Sequence, residues 1–332
     1  MTAAVWPPIL DARGFVLDGG TTMYHAIEYA SVEGFRPLQL DLYLPAPTPD
    51  PVPAIVYFHG GGWSVGTRRR FGRAFKSWQP SALERVAAAG FAVATVDYRL
   101  SSEAVFPAQL HDAKAAVRWV RANAARLNVD PTRIVAWGES AGGHIAALVG
   151  VTGDRSDLEG NVGDMEFSSS VCAVVEHYAP TDLLAAAAQR HPASDADPNS
   201  PDSPESRLIG AALTDRPDLA RAASPVTYAH AGAPPFHIHH GTEDRMVPFG
   251  QAESLAAALR AVGVPVELVA VDGADHFWIG ALDLEAIFTA SVGFARRVTG
   301  LTETPTEALT ETLTETPTET PTETPTEVLA NR

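Results

Sequence analysis

The stretch Arg133–Gly143, which reads RIVAWGESAGG, decides how the rest of the chain is interpreted. Its first half is a short apolar run that ends in a glycine, as a buried strand does. Its second half is a G-x-S-x-G pentapeptide around Ser140, followed by a helix-like run, His144–Val149. This order predicts a nucleophile elbow, a sharp strand-to-helix turn that presents the serine hydroxyl at the carboxyl end of a sheet. The glycines fit such a turn because side chains two positions before and after the serine would collide.

A glycine run follows the fully apolar strand predicted at Ala54–Phe58 and reads His59-Gly60-Gly61-Gly62-Trp63. Glycines at a strand end let backbone N–H groups approach a substrate oxygen. We expect this run to supply one half of an oxyanion hole, with the N–H of Ala141 as the other half. A glycine-rich turn without this role is the alternative.

Two loops after later strands carry the remaining groups that a nucleophilic serine needs. The first holds Glu243 and Asp244, and we favour Asp244 because it stands just before the Val-Pro that starts the next helix. Such a carboxylate would hold an imidazole in the correct tautomer. The second holds His276, which would take the serine proton and return it to the leaving group. The chain order Ser140, Asp244, His276 is that of the α/β-hydrolases.

Five motifs together resemble the bacterial hormone-sensitive-lipase-like carboxylesterases, over about residues 25–298: HGGGW, DYR, GESAGG, Asp-x-x-Val-Pro and Asp-His-Phe. The resemblance implies an α/β-hydrolase fold, esterase activity on short acyl chains and no cofactor. By position it implies a catalytic triad of Ser140, Asp244 and His276. By position it also implies an oxyanion hole formed by Gly61, Gly62 and Ala141.

One departure from that group leaves the substrate open. The usual Tyr-Arg-Leu-Ala-Pro-Glu reads Tyr-Arg-Leu-Ser-Ser-Glu at 98–103, and the segment before the first strand is short for a helical cap. Both features are similar to a neighbouring branch that includes feruloyl and acetyl-xylan esterase-like proteins and arylformamidases. A serine carboxylesterase for short-acyl or aromatic esters is therefore the first hypothesis. An arylformamidase-type amidase is the second, and a catalytically silent ligand-binding protein on a hydrolase scaffold is the third.

The order of predicted elements indicates one catalytic domain with additions. Strands alternate with helices, which predicts a mostly parallel sheet with helices on both faces. We expect an irregular segment at 1–24, a catalytic domain at 25–300 and an inserted cap at about 183–223. Within the domain, one long helix is predicted at Pro107–Leu127. A Thr-Glu-Thr-Pro repeat tail at 301–332 is predicted to be disordered because its prolines forbid regular structure.

Composition narrows the class of partner. The chain has 332 residues and a formal charge of −16, which becomes about −10 without the seven Glu and one Arg of 301–332. The net negative charge of the chain without its tail argues against a nucleic-acid partner, and no apolar run is long enough to span a membrane. We expect a cytoplasmic enzyme with a small-molecule ester substrate, while a homodimer stays open. Cys172, the single cysteine, is interpreted as core packing.

Several other side chains have two interpretations. Trp63 and Phe277 flank predicted catalytic groups, so they either line the substrate pocket or belong to the core. His237 and His239 point the same way on a strand, but no carboxylate or cysteine stands at ligand spacing, so we expect no metal site. His144 is interpreted as a supporting or core histidine.

Two further groups of mostly charged residues have predicted roles. Arg68–Lys76 is interpreted as a solvated loop, with attraction of an anionic substrate as the alternative. We expect Asp97, Tyr98, Arg99 and Asp112 to form internal ion pairs and hydrogen bonds that brace the elbow.

Overall fold

The computed structural model describes residues 14–17, 19–153 and 155–301, which form a nine-stranded sheet covered by helices. In chain order the strands are β1 (Phe15–Val16), β2 (Thr22–Ala30), β3 (Leu38–Leu44), β4 (Val52–Phe58), β5 (Ala92–Val96), β6 (Val129–Glu139), β7 (Ala173–His177), β8 (Phe236–Gly241) and β9 (Val266–Val271). The helices are α1 (Ala82–Ala88), α2 (Ala108–Ala122), α3 (Ala124–Leu127), α4 (Ala141–Val151), α5 (Pro204–Ile209), α6 (Pro217–Ala222), α7 (Gly250–Ala261) and α8 (Leu284–Thr299). The predicted tail lies outside the described residues from 302 onwards.

The sheet is mostly parallel, as the sequence predicts. Its spatial order is β1-β2-β3-β5-β4-β6-β7-β8-β9. The pairs β1–β2, β2–β3 and β3–β5 are antiparallel, and every pair from β5–β4 to β8–β9 is parallel. The chain runs from β4 outward to β5 and then crosses to β6 on the other side of β4. Ligands bind open α/β sheets at such a switch point, outside the carboxyl ends of the strands.

Helices cover both faces because the central strands are apolar on both sides. In β4, Val56 and Phe58 belong to one buried cluster and Ile55 and Tyr57 to the other. The first cluster receives side chains from α2, α4 and α7, and the second from α1 and α8. A near-continuous apolar strand is typical of a parallel sheet buried on both faces. The predicted three-layer arrangement is therefore confirmed.

Two predicted boundaries are wrong. The single helix expected at Pro107–Leu127 is broken at Asn123, whose side-chain amide donates to the carbonyl of Trp119 at 2.8 Å. That bond competes with the helical ladder, which is why α3 begins anew after it. The segment 1–24 is not irregular throughout its described part, since β1 and the start of β2 pair there, Phe15 opposite Met23.

The segment predicted as an insertion, 183–223, lies between β7 and β8 and ends with α6. It contains α5, which begins at Pro204 with the hydroxyl of Ser203 accepting from the N–H of Ser206 at 3.0 Å. Leu208 and Ile209 anchor this helix in the larger core cluster. The residues just before α5 lie near the ends of β4 and β6, because they line one cavity with the residues that follow those two strands.

Candidate active site

The elbow after β6 is built as the motif predicts. Ser140 has φ 52° and ψ −123°, a conformation that side-chain-bearing residues rarely adopt. Its N–H donates to the carbonyl of His177 at 2.8 Å, and α4 starts at the next residue. A Cβ atom on Gly138 would lie 2.1 Å from the carbonyl oxygen of Gly142, and one on Gly142 would lie 2.0 Å from that of Phe58. Only glycine fits at both positions.

Ser140, His276 and Asp244 form one chain of hydrogen bonds, although they follow three different strands. Nε2 of His276 lies 3.0 Å from Oγ of Ser140, and Nδ1 lies 2.7 Å from Oδ2 of Asp244. All three side chains are buried. Glu243, the rival carboxylate, instead points outward and lies 3.2 Å from Nε2 of His191. Of the two candidates, Asp244 is therefore the one that contacts the imidazole.

Asp244 is held in its ionised form. Burial alone would raise its pKa, but hydrogen bonds from His240 and His276 and their charges outweigh burial and hold the pKa well below the usual range. Its other oxygen, Oδ1, accepts from the N–H groups of Met246 at 2.9 Å and Val247 at 2.8 Å. A carboxylate fixed in this way can orient an imidazole and stabilise its protonated form.

The glycine run lies beside the serine at the switch point. Gly61 has φ 123° and Gly62 φ 56°, and both line one cavity together with Ser140 and Ala141. Within the described part of the chain, the backbone N–H groups of Gly61, Gly62 and Ala141 donate no hydrogen bond. A Cβ on Gly61 would lie 2.1 Å from the carbonyl oxygen of Val65, so this loop depends on glycine. Three unused donors next to a serine hydroxyl are suited to binding an oxyanion.

We call this space, of about 570 Å³, the main cavity. Trp63 and Phe277 both line it, as one of their two interpretations predicts, although Trp63 is only 1% exposed and contributes a small surface. The cavity is also lined by the segment that leads into α5 and by the first two residues of that helix: Asp197, Pro198, Ser200, Asp202, Ser203, Pro204 and Glu205. Its volume is in the range of small-molecule sites.

A second space, of about 380 Å³, adjoins the first, and we call it the mouth cavity. His276 and Phe277 line both spaces. The mouth cavity also contains Arg245, which is paired with Asp275, and Arg73, whose guanidinium carbon lies 5.4 Å from the centre of the Phe277 ring. A negatively charged group of a substrate in the mouth cavity can therefore contact Arg73 close to His276.

Residues of the basic stretch have different environments. The sequence interpretation placed Arg68 in a solvated loop, and for this residue it is wrong. Arg68 is buried between Asp41 and Asp97, at 2.8 Å and 2.5 Å. Asp41 on β3 and Asp97 after β5 converge on the same point, and a buried carboxylate requires a positively charged or hydrogen-bonding partner, which Arg68 supplies. Arg73 in contrast is exposed and lines the mouth cavity.

The predicted bracing contacts are present. The hydroxyl of Tyr98 donates to the carbonyl of His59 at 2.8 Å, directly before the glycine run. The guanidinium of Arg99 binds both oxygens of Asp112, at 2.6 Å and 2.9 Å. Such bidentate pairs add geometric specificity to their strength. They tie the end of β5 to α2 beside the elbow.

His144 is a structural histidine, as expected. Its Nδ1 accepts from the indole N–H of Trp63 at 3.2 Å, and its Nε2 lies 2.7 Å from the carbonyl oxygen of Ala223. This pattern assigns the ring proton to Nε2. Burial lowers the pKa of His144 to about 4, so the ring is neutral at pH 7.

Sequence reasoning missed Glu139 and Tyr178. Glu139 is the variable residue of the pentapeptide, and Oε2 of its buried carboxyl accepts from the hydroxyl of Tyr178 at 2.5 Å. The ring of Tyr178 lies 4.6 Å from that of His276, edge to face. The sequence did contain a signal for this contact. Tyr178 directly follows a predicted parallel strand, at the edge of the sheet where the catalytic groups meet.

The described residues contain neither a cluster suited to a metal ion nor a helix suited to crossing a membrane. His237 contacts Glu267 at 3.1 Å, and no group of three or more His, Cys, Asp or Glu within 14–17, 19–153 and 155–301 is arranged to hold a metal. In the same ranges, no helix has the length and apolar character needed to cross a bilayer.

The sequence of this chain matches the BD-FAE family over residues 40–259. The chain belongs to the BD-FAE family. The matched range contains the glycine run, the elbow and Asp244 and ends before His276. Among curated proteins, esterase LipQ of Mycobacterium tuberculosis is 31% identical over 240 residues, which are 70% of this chain and 51% of LipQ. The chain thus spans about half the length of the curated relatives it matches over most of its own length.

Two solved structures of esterases are similar along nearly their whole length. A truncated carbohydrate esterase from gut microbiota is 31% identical with a TM-score of 0.71, and the match covers 84% of this chain and 96% of that one. Esterase 2 of Thermogutta terrifontis, phosphonylated by sarin, is 32% identical with a TM-score of 0.64, over 88% and 95%. This BD-FAE chain therefore has the predicted α/β-hydrolase fold, and its resemblance to esterases is confirmed.

Proposed function

We propose that the protein is a serine carboxylesterase that hydrolyses short-acyl or aromatic carboxylic esters. The observation that carries this proposal is the hydrogen-bond chain from Oγ of Ser140 through His276 to Asp244, which opens on the main cavity. Ser140 attacks the ester carbonyl while Nε2 of His276 takes its proton. The imidazolium that forms donates from Nδ1 to Asp244, whose charge stabilises it.

The negative charge of the tetrahedral intermediate falls on the former carbonyl oxygen. In our proposal the N–H groups of Gly61, Gly62 and Ala141 bind this oxygen. His276 then returns the proton to the leaving alcohol, and an acyl-enzyme on Ser140 remains. Water, deprotonated by His276, releases the acid and restores the serine. No step requires a cofactor.

The substrate class is supported by the shape of the site and by the relatives. The main cavity has apolar walls near the serine, from Trp63, Pro180, Val247 and Phe277. In our proposal these walls take the acyl or aromatic group, and residues 183–223 act as a cap over it. LipQ and the similar solved structures are named esterases, which agrees with ester rather than amide hydrolysis. A cytoplasmic, small-molecule enzyme without nucleic-acid or membrane partners remains part of the same proposal.

The test is a series of initial rates on p-nitrophenyl esters from acetate to laurate. We expect turnover that is fastest with the shorter esters and is lost in Ser140→Ala. Ser64→Ala is the matched control, since Ser64 lines the main cavity but its hydroxyl bonds, among the described residues, only the carbonyl of Gly62 and the hydroxyl of Ser101. An N-formyl anilide is measured in parallel. Faster hydrolysis of that amide than of every ester would overturn the esterase proposal in favour of an amidase.

A further inference from the structure

Glu139 is a buried acid in the active centre that the hydrolytic mechanism above does not use. Its carboxyl accepts a hydrogen bond from the hydroxyl of Tyr178 at 2.5 Å, and the hydroxyl of Tyr57 and the N–H of Gly60 lie near enough to favour its ionised form. A Cβ on Gly72 would lie 2.8 Å from its Oε2, so backbone also packs against it. Among the described residues, no cation contributes to its ionisation. The carboxyl is therefore bonded directly by Tyr178 and has two further neutral donors beside it.

The first of these donors leads to the catalytic histidine. Tyr178 follows β7 directly, with its N–H bonded to the carbonyl of His239 at 2.8 Å. Its φ is 40°, a left-handed value that is costly for an aromatic residue. The hydroxyl end of the side chain bonds Glu139, and the ring packs on His276 at 4.6 Å. The Tyr178 side chain therefore lies between the carboxyl of Glu139 and the imidazole of His276 and contacts both.

The second donor leads to the oxyanion glycines. The N–H of Gly60 lies beside the carboxyl of Glu139 and favours its ionised form, and Gly60 immediately precedes Gly61 and Gly62. A Cβ on Gly60 would lie 3.1 Å from the carbonyl oxygen of Glu139 and 3.4 Å from Cβ of Ser140. Gly60 therefore packs closely against Glu139 and Ser140 at the start of the loop that faces the serine.

We propose that Glu139 is a positioning residue, which holds the Tyr178 ring against His276 and the backbone of Gly60 at the start of the oxyanion loop. The inference rests on the proposed esterase function. It differs from a packing role because Tyr178 donates directly to the carboxyl and the other neighbouring polar groups, Tyr57 and Gly60, are also donors. The ionised form can accept all three bonds, whereas protonation occupies one acceptor position with a hydrogen.

The ionisation of this acid gives the proposal a measurable signature. Burial raises the pKa of Glu139 to about 7, although the hydrogen bonds from Tyr178, Tyr57 and Gly60 oppose that rise. The carboxyl is therefore ionised at pH 8 and mostly protonated at pH 6. Glu139→Gln resembles the protonated form in shape and charge at every pH.

The experiment compares the wild type with Glu139→Gln, Tyr178→Phe and the control Tyr29→Phe. Tyr29 also loses a buried hydroxyl bond, at 2.7 Å to the carbonyl of Asp97, but does not contact the site. With p-nitrophenyl acetate at pH 8 we expect kcat of Glu139→Gln to fall by about tenfold, with KM within about twofold, since misplacement mainly affects the transition state. The ratio of wild-type to mutant kcat should shrink towards pH 6.

Tyr178→Phe keeps the ring but removes one donor, so the acidic limb of its pH profile should move to higher pH. A pH-independent loss in both variants would overturn the proposal, as would unchanged kcat. The downfield proton resonance of the His276–Asp244 bond is recorded in every variant and requires no substrate. It should shift in Glu139→Gln and Tyr178→Phe but not in Tyr29→Phe. An unshifted resonance would overturn the positioning role even if the wild type hydrolysed no ester, which would overturn the esterase proposal alone.

Discussion

Nδ1 of His276 lies 2.7 Å from Oδ2 of Asp244, and the two residues are 32 positions apart in the chain. Asp275 joins the loops that carry them, because its Oδ1 accepts from the N–H groups of Arg245 at 2.9 Å and His276 at 2.7 Å. The carboxylate and the imidazole therefore meet in a geometry fixed by backbone as well as by side chains.

Replacing this carboxylate should remove activity without unfolding the protein. Asp244→Asn keeps the shape but offers the wrong partner to Nδ1, and kcat/KM on p-nitrophenyl butyrate should fall by about a thousandfold or more. Glu243→Gln is the matched control, since that side chain is 59% exposed and does not contact His276. Equal losses in both variants would contradict the assignment of Asp244.

His144 should matter for stability and not for proton transfer. In His144→Leu the indole N–H of Trp63 and the carbonyl of Ala223 lose their buried partner, at a cost of about 1–3 kcal/mol each. Urea unfolding measures the loss, with the partly exposed His191→Leu as control. The folded variant should keep most of its kcat, whereas loss of a general base would lower it by about a hundredfold or more.

Buried histidines predict a loss of stability in acid. Burial lowers the pKa of His144 to about 4 and that of His239 to about 3, from 6.5. As pH falls below 6.5 the unfolded chain binds protons that the folded chain does not, so each histidine lowers the free energy of unfolding by about 1.4 kcal/mol per pH unit. This loss continues until the folded pKa is reached.

Two buried acids act in the opposite sense. Burial raises the pKa of Glu139 and Glu176 to about 7, from 4.5. Their stabilising contribution is complete below pH 4.5 and is lost as pH rises through 7. Between pH 4.5 and 6.5 the loss from these two acids offsets the gain from the two histidines, so urea unfolding from pH 3.5 to 9 should show a plateau there, a fall in stability below pH 4.5 and a small further fall between pH 6.5 and 7. His239→Phe should flatten the acid side, and an unchanged acid slope would contradict this account.

Arg73 should favour esters with an anionic leaving group. Its guanidinium lies over Phe277 in the mouth cavity and has no ion pair among the described residues. For Arg73→Gln we expect the kcat/KM ratio of 4-acetoxybenzoate to phenyl acetate to fall by about two- to fivefold, and the effect to weaken in salt. Lys76→Gln, exposed and outside both cavities, is the control. An unchanged ratio would leave Arg73 a solvated residue.

The sequence by itself determined the sheet and the identity of the reactive groups. G-x-S-x-G requires glycine where a Cβ would lie about 2 Å from backbone oxygens, and such steric demands are readable in one dimension. Apolar runs marked the parallel strands, and parallel strands bring Ser140, Asp244 and His276 to one edge.

Only the tertiary structure decided the contacts between segments that are distant in the chain. Arg68 is buried because Asp41 and Asp97, from two different strands, converge on it. The pKa of Glu139 is raised to about 7 because burial outweighs the donors near it, which come from β4, the glycine run and the residue after β7, and no local pattern encodes their meeting. Local sterics are a property of neighbouring residues, whereas desolvation and charge depend on everything that packs around a group.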